Sequence, residues 1–247
     1  LLWNVTVMGS TVSNEVLKLT DDQDEIIIGS RIIRVGEELN SFYMARSAGV
    51  DPATGAQLYW VYDEGEEENR SAHYISSDKS KAAASRVILG SRIPDLYGSL
   101  STSVAYKGFD ISLMTTYSIG GEVYDYVGYN YTNPLYIGNN WTREVLRAWK
   151  QPGDITDIPR VEKNATHTLN DRSLVDASYF AIKNIAAGYT FSMPSSGIES
   201  IRVFAQGDNL AVFSARQGLN PQYNFTGTTD FVYSPNRIIS AGLNIRF

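Results

Sequence analysis

From Ile239 onward the chain places Ile239, Ala241, Leu243, Ile245 and Phe247 on one parity and Ser240, Gly242, Asn244 and Arg246 on the other. Successive side chains of a strand point to opposite faces, so residues 237–247 predict a strand with one apolar face and one polar, small or charged face. Eleven residues at roughly 3.3 Å each, tilted near 45°, cover about 25 Å, the height of the apolar band of an outer-membrane barrel. A soluble sandwich strand can alternate too, but aliphatics running to a final aromatic opposite Asn and Arg fit lipid outside and water inside.

The same alternation recurs along the chain. Trp3, Val5 and Val7 alternate with Asn4 and Thr6, as in a strand already under way, and short apolar runs follow at 16–19, 26–33 and 41–49. Leu100, Thr102, Val104 and Tyr106 alternate with serines, and after Lys107-Gly108 the residues Phe109, Ile111, Leu113, Thr115, Tyr117 and Ile119 alternate with Asp110, Ser112, Met114, Thr116 and Ser118. This predicts a hairpin with a tight turn. Residues 177–192 and 201–213 give two further strands joined by a short polar turn; in the latter Ile201, Val203 and Ala205 oppose Arg202, Gln206 and Asp208, with Phe204 the exception.

Between these strands lie three long stretches. Residues 50–93 are acidic and turn-rich, with Asp51-Pro52-Ala53-Thr54-Gly55 a turn and 57–62 a short strand. Residues 120–174 are rich in tyrosine and tryptophan, and 141–150 have helical spacing closed by Pro152-Gly153. Residues 214–236 form the third. Long connections therefore alternate with short turns at 107–108 and 193–200, as in outer-membrane barrels and not in sandwiches. The reading is an all-β, antiparallel transmembrane barrel to which this chain gives about seven strands; bacterial barrels have an even number and must close, so a larger barrel is implied.

Composition removes other readings. No run approaches the roughly 18 apolar residues of a spanning helix. With no cysteine, disulfides and zinc-thiolate sites are excluded, and a net charge of −6 supplies no basic stripe for nucleic acid. The six Asn-x-Ser/Thr sequences, at Asn4, Asn69, Asn130, Asn140, Asn164 and Asn224, are read as polar bacterial loop and strand positions. The cluster Asp21, Asp22, Asp24 and Glu25 is read as a solvated turn and not a metal site.

Several spaced motifs carry a family resemblance. Residues 178–185 (SYFAIKNI) with Gly188-Tyr189-Thr190-Phe191, residues 201–210 (IRVFAQGDNL), Asp230, Ser234-Pro235-Asn236-Arg237 and Phe247 resemble the C-terminal end of SusC/RagA-like TonB-dependent outer-membrane transporters of Bacteroidetes. Val35-Gly36-Glu37 with Ser41-Phe42-Tyr43, residues 48–55 (AGVDPATG), Ile93-Pro94-Asp95-Leu96-Tyr97-Gly98, Tyr106-Lys107-Gly108-Phe109-Asp110, and Trp149 with Gln151-Pro152-Gly153-Asp154 extend it over nearly the whole chain. The resemblance implies a barrel of about 22 strands closed by an N-terminal plug and capped by a SusD-like surface lipoprotein. It implies import of oligosaccharides or peptides on energy relayed by TonB. This chain then resembles the last quarter of such a protein, without plug or first barrel strands, and its edges pair with the remainder of the transporter. Phe247 is the terminal aromatic that the resemblance associates with barrel assembly, at the short-turn end.

No catalytic constellation, cofactor motif or metal site is found. His73 and His167 fall in loops outside any HExxH spacing, Ser99, Ser101 and Ser103 lack a nucleophile-elbow turn, and Gly120-Gly121 is no phosphate loop. Binding is the more credible chemistry: Tyr129, Tyr131, Trp141 and Trp149 gather in one external loop, where planar rings can stack on solute. Tyr97, Tyr106, Phe109, Tyr189 and Phe191 read as interfacial girdle residues. The rival is a soluble β-domain that binds or processes carbohydrate, which as a hydrolase needs paired carboxylates across a cleft.

Overall fold

The computed structural model describes residues 1–20, 23–62, 73–128, 140–162, 168–193, 197–216, 218–223, 226–229 and 233–247. In chain order its strands are β1 (Leu2–Ser10), then β2 (Glu25–Ile28), β3 (Arg31–Arg34), β4 (Ser41–Met44), β5 (Arg46–Val50), β6 (Gln57–Tyr62) and β7 (His73–Ser76). A short helix α1 (Lys79–Ala84) and β8 (Val87–Ser91) lead to the hairpin β9 (Leu96–Tyr106) and β10 (Phe109–Ile119). After β11 (Glu122–Tyr124) and β12 (Leu174–Asp176) come β13 (Tyr179–Ser192), β14 (Ser200–Ser214) and β15 (Ile238–Arg246).

The long strands form one antiparallel sheet in the order β1-β9-β10-β13-β14-β15, with β1 and β15 at its edges. About seven such strands are expected from the sequence; six are paired here among the described residues. The runs at 26–33 and 41–49 instead enter two smaller sheets, β2-β3-β4-β8 and β5-β6-β7, and 16–19 is irregular. The reason is local. Gly29, at a φ of 62°, folds 26–33 into a two-residue hairpin, and Ala45 leaves the strand direction to bridge Asn170.

Register carries the periodicity across the sheet. Trp3, Val104, Ile111, Ala187, Ala205 and Ala241 stand in one cross-strand row; Asn4, Ser103, Ser112, Ala186, Gln206 and Ser240 stand in the next, on the other face. In β13 the apolar parity changes from Phe180 and Ile182 to Ile185, Ala187 and Tyr189. An extra residue, Lys183, between the pairs Ile182–Thr115 and Asn184–Met114 accommodates that change, so the apolar face continues through the bulge. Ile239 and Leu243 on this face are 79% and 65% exposed, and none of the described residues covers them.

Rings border the apolar face at both ends. At the short-turn end Phe109 and Tyr189 lie 4.4 Å apart and Tyr189 and Phe191 4.6 Å apart, with Tyr106 beside Phe109. At the other end Tyr117 pairs with Phe180, whose ring is 6.4 Å from that of Phe213. Tyr97 departs from the expected girdle: it pairs with Ser10 and Ser118, on the parity of the serines.

The turn at Lys107 and Gly108 has φ of 46° and 87°, the doubly left-handed pattern of a tight hairpin. Phe247 follows β15 at this same end, because Arg246 pairs with Ser200 at the start of β14. At the opposite end emerge the connections 11–95, 120–178 and 215–237. The first begins well before the expected 50 because β2 to β5 are too short to join the long sheet.

Gly108→Val would force a β-branched residue into left-handed backbone and bring its Cβ 2.8 Å from the Thr190 carbonyl oxygen. We expect a loss of about 1–2 kcal/mol, seen as a lower temperature at which the intact protein loses its folded, unheated electrophoretic mobility.

Candidate transport surfaces

The sheet offers a small, hydroxyl-rich polar face that carries a bidentate charge pair. Arg202 Nε and Nη2 donate to the two carboxylate oxygens of Asp110 at 2.9 and 2.5 Å, a bidentate pair. To reach Asp110 the guanidinium crosses Gly188, where a Cβ would lie 2.7 Å from Arg202 Nη2. Phe204, the sequence exception, covers Gly242 on the next strand and lies 5.0 Å from the Arg202 guanidinium. A ring over a cross-strand glycine fills the space that the missing side chain leaves. Farther along, Asn184 donates to Asp208 at 2.7 Å.

The three long connections interlock into one cored layer. Ala45 N–H donates to Leu169 C=O and Asp171 N–H to Ala45 C=O, while Tyr124 N–H donates to Gly227 C=O and Thr229 N–H to Tyr124 C=O. Phe42, Met44 and Tyr124 are buried together against Leu89, Leu169 and Leu174; Ala45, Tyr59 and Ala82 form a second cluster, and Val123, Ala177 and Leu219 a third. α1 is capped by Asp78, whose carboxylate accepts from the Ser80 and Lys81 N–H groups. His73 lies in β7, not in a loop, with its ring 4.8 Å from that of Trp60.

Two of the motifs that carry the resemblance meet in this layer. In the Asp51–Gly55 turn, Asp51 accepts from Ala53 N–H and the Thr54 hydroxyl, and that hydroxyl and then the amide hold its carboxyl below the usual range. Trp149 packs its indole on Gly55 (φ 72°), where any Cβ would clash at 2.4 Å, and donates its indole N–H to Pro52 C=O at 2.9 Å. Gly153 N–H donates to the same Pro52 carbonyl, and Asp154 accepts from the Lys150 and Gln151 N–H groups.

The expected helix over 141–150 is only a 3-10 turn, Arg143–Arg147. It stops because Ala148 turns extended and Trp149 N–H binds Ile158 C=O. Trp141 is half-buried at its start. Tyr129 and Tyr131 lie outside the described residues, so of the four aromatic candidates the structure places Trp141 and Trp149, at opposite ends of that turn.

Sequence reading did not single out a cleft of about 100 Å³ in the same layer, lined by Asp125, Glu144, Arg147, Asp157, Arg172 and Arg216 among others. Its charged residues are scattered over nearly a hundred positions, and no spacing rule joins them. Buried Asp125 pairs with Arg216 and accepts from Gly128 N–H and the Thr229 hydroxyl. Arg147 lies 3.4 Å from Asp157.

Burial raises two carboxyls of this layer. Burial pushes the Asp171 carboxyl above the usual range, opposed by the Ser47 N–H that it accepts at 2.7 Å. Burial and then the facing Asp176 raise that of Glu122. Among the described residues no group of three or more His, Cys, Asp or Glu could hold a metal ion.

No protein-family model matches the chain. Over 276 residues it is 28% identical to TonB-dependent receptor P3 of Formosa agariphila, a match covering 99% of this chain and 27% of the relative. TonB-dependent receptor P39 of the same bacterium is 26% identical over 300 residues, covering 99% and 28%. Of solved structures, the RagAB peptide transporter superposes with a TM-score of 0.83 at 23% identity, covering 98% of this chain and 27% of that one. The RagAB peptide importer in its "open-open" state gives 0.79 at 22% identity, covering 99% and 27%. The chain thus spans a little over a quarter of the length of each.

Two outcomes test the loop layer. Trp149→Ala should cost about 2–3 kcal/mol and speed hydrogen exchange at 51–56 and 149–160 in the intact protein while leaving β9 and β10 protected. The raised Asp171 carboxyl favours folding fully below the ordinary aspartate range, and that contribution is lost as pH rises through its folded value. Wild type should therefore lose stability against Asp171→Asn as pH climbs from 4 towards neutrality, read from denaturant midpoints.

In motifs and in fold the chain is similar, along nearly its whole length, to one portion of the SusC/RagA-like TonB-dependent outer-membrane transporters of Bacteroidetes, as the sequence motifs imply.

Proposed function

We propose that this chain is the C-terminal portion of the plugged β-barrel of a TonB-dependent outer-membrane importer, and that it has no enzymatic role. The observation that carries the reading is the single apolar face running in register across six strands, bordered by rings at both ends. From Phe109 to Ile119 the strand rises about 33 Å, or about 25 Å along the membrane normal at a tilt of about 40°, which suits the apolar band of an outer membrane. The polar face, with its Ser, Thr, Asn and Asp110–Arg202 groups, lines the lumen, and β1 and β15 pair with strands from the rest of the transporter.

The interlocked loop layer faces outside and meets a SusD-like lipoprotein, while TonB acts through the plug. The solute is an oligosaccharide or a peptide. Tyr129, Tyr131, Trp141 and Trp149 are the proposed aromatic contacts, Trp149 through its ring because its N–H is bound to Pro52. Phe247 is the proposed assembly signal. A soluble carbohydrate-binding sandwich would bury the apolar face under a second sheet; here the smaller sheets form at the strand ends and leave Leu243 in the open.

In the full-length transporter, Ile239→Arg, in the cross-strand row of Leu113, Ile185 and Gly207 midway between the two ring borders, should cost about 2–4 kcal/mol, sharply reducing folded protein in outer-membrane fractions, whereas Asn244→Arg on the lumen face should be tolerated. Solute uptake by whole cells should require TonB. Release of the full-length protein into detergent-free buffer as a monodisperse species would overturn the assignment.

A further inference from the structure

The cleft described above is lined by two of the three long connections, 120–178 and 215–237. Arg147 comes from the 3-10 turn, Arg172 from the segment before β12, and Arg216 from the segment after β14. On the importer reading, we propose that it is a subsite for a carboxylate group carried by the solute.

Three guanidiniums line a space of about 100 Å³, enough for a carboxylate and its adjoining carbons. The planar guanidinium fork matches carboxylate geometry and donates two parallel hydrogen bonds. The acids on the walls take up only part of this capacity, and Arg172 Nη1 donates to the Asp157 C=O at 3.4 Å. Asp125 is only 4% exposed, and its charge is met by Arg216, Gly128 N–H and the Thr229 hydroxyl. Arg216 Nε is nonetheless buried with no acceptor among the described residues. Asp157 and Arg147 are 62% and 61% exposed at 3.4 Å, a pair weak enough in water for an incoming carboxylate to displace. Glu144 is the remaining acid and disfavours ligands of high negative charge, so a single carboxylate fits better than a phosphate.

The walls argue against a neutral sugar. Ile158 and Val175 supply apolar surface, and none of the described lining residues is aromatic, so no ring is present for a sugar face to stack on. The required chemistry, a lone carboxylate beside a short apolar stem, occurs both in an acidic peptide and in an oligosaccharide of uronic acids.

The test uses the purified full-length transporter complex and four probes: a glutamate-containing peptide, its glutamine, C-terminally amidated counterpart, an oligogalacturonate and a neutral oligogalactoside. Wild type should bind one of the two carboxylate probes more tightly than its neutral partner, and which one identifies the solute class. Arg147→Gln, at an exposed position, should weaken that probe about tenfold, as expected for one lost charge-assisted contact, and leave the neutral probe unchanged. Arg172→Gln should do the same.

Equal binding of charged and neutral probes by wild type, or unchanged carboxylate binding in both variants, overturns the subsite. The importer reading is judged separately: TonB-dependent uptake of any solute by whole cells upholds it even if the subsite fails, and its absence for every solute overturns the importer.

Discussion

Cross-strand register is the constraint on which the rest of the molecule depends. With a side-chain period of two, a slip of one residue at any pairing would send the aliphatics of that strand to the polar face and its serines to the apolar one. The tight turn at Lys107-Gly108 sets one register, and the extra residue at Lys183 corrects another where the sequence changes parity. The product is a face that water does not suit, running from Trp3 to Leu243 without a break.

The loop layer answers a different requirement. Its strands are too short to span a bilayer and too polar at their ends to be left alone, so their backbone groups pair across connections distant in sequence. Ala45 with Leu169 and Asp171, and Tyr124 with Gly227 and Thr229, tie all three connections into one body. Phe42, Met44 and Tyr124 give that body an apolar core of its own. Glycine is required where Trp149 lies on the Asp51–Gly55 turn, and the two motifs involved are explained by a single contact.

Charge is placed differently on the two surfaces. On the sheet it is paired in place, with Arg202 reaching Asp110 over a glycine and stacked by Phe204, while its neighbours are small and hydroxylated. In the loop layer it is gathered around a cleft, where one guanidinium has an unmet donor and another pair is loosely held in water.

The alternation in residues 99–119, 177–213 and 237–247 by itself determined the long strands, their turns and their two-faced character, because that information is local and has period two. The turn residues Asp51-Pro52-Ala53-Thr54-Gly55 placed their own turn, and the family resemblance put Phe247 at the short-turn end. The alternation did not show that the strands of 26–33 and 41–49 leave the long sheet for smaller ones, or that 141–150 is only a 3-10 turn, where Gly29, the Ala45 bridge and the Trp149–Ile158 hydrogen bond decide the outcome. Only the tertiary structure brought Arg147, Arg172 and Arg216 to one cleft and seated Phe204 on Gly242. Those contacts join residues with no common period, and they exist only once the strands are in register and the loops have closed over one another.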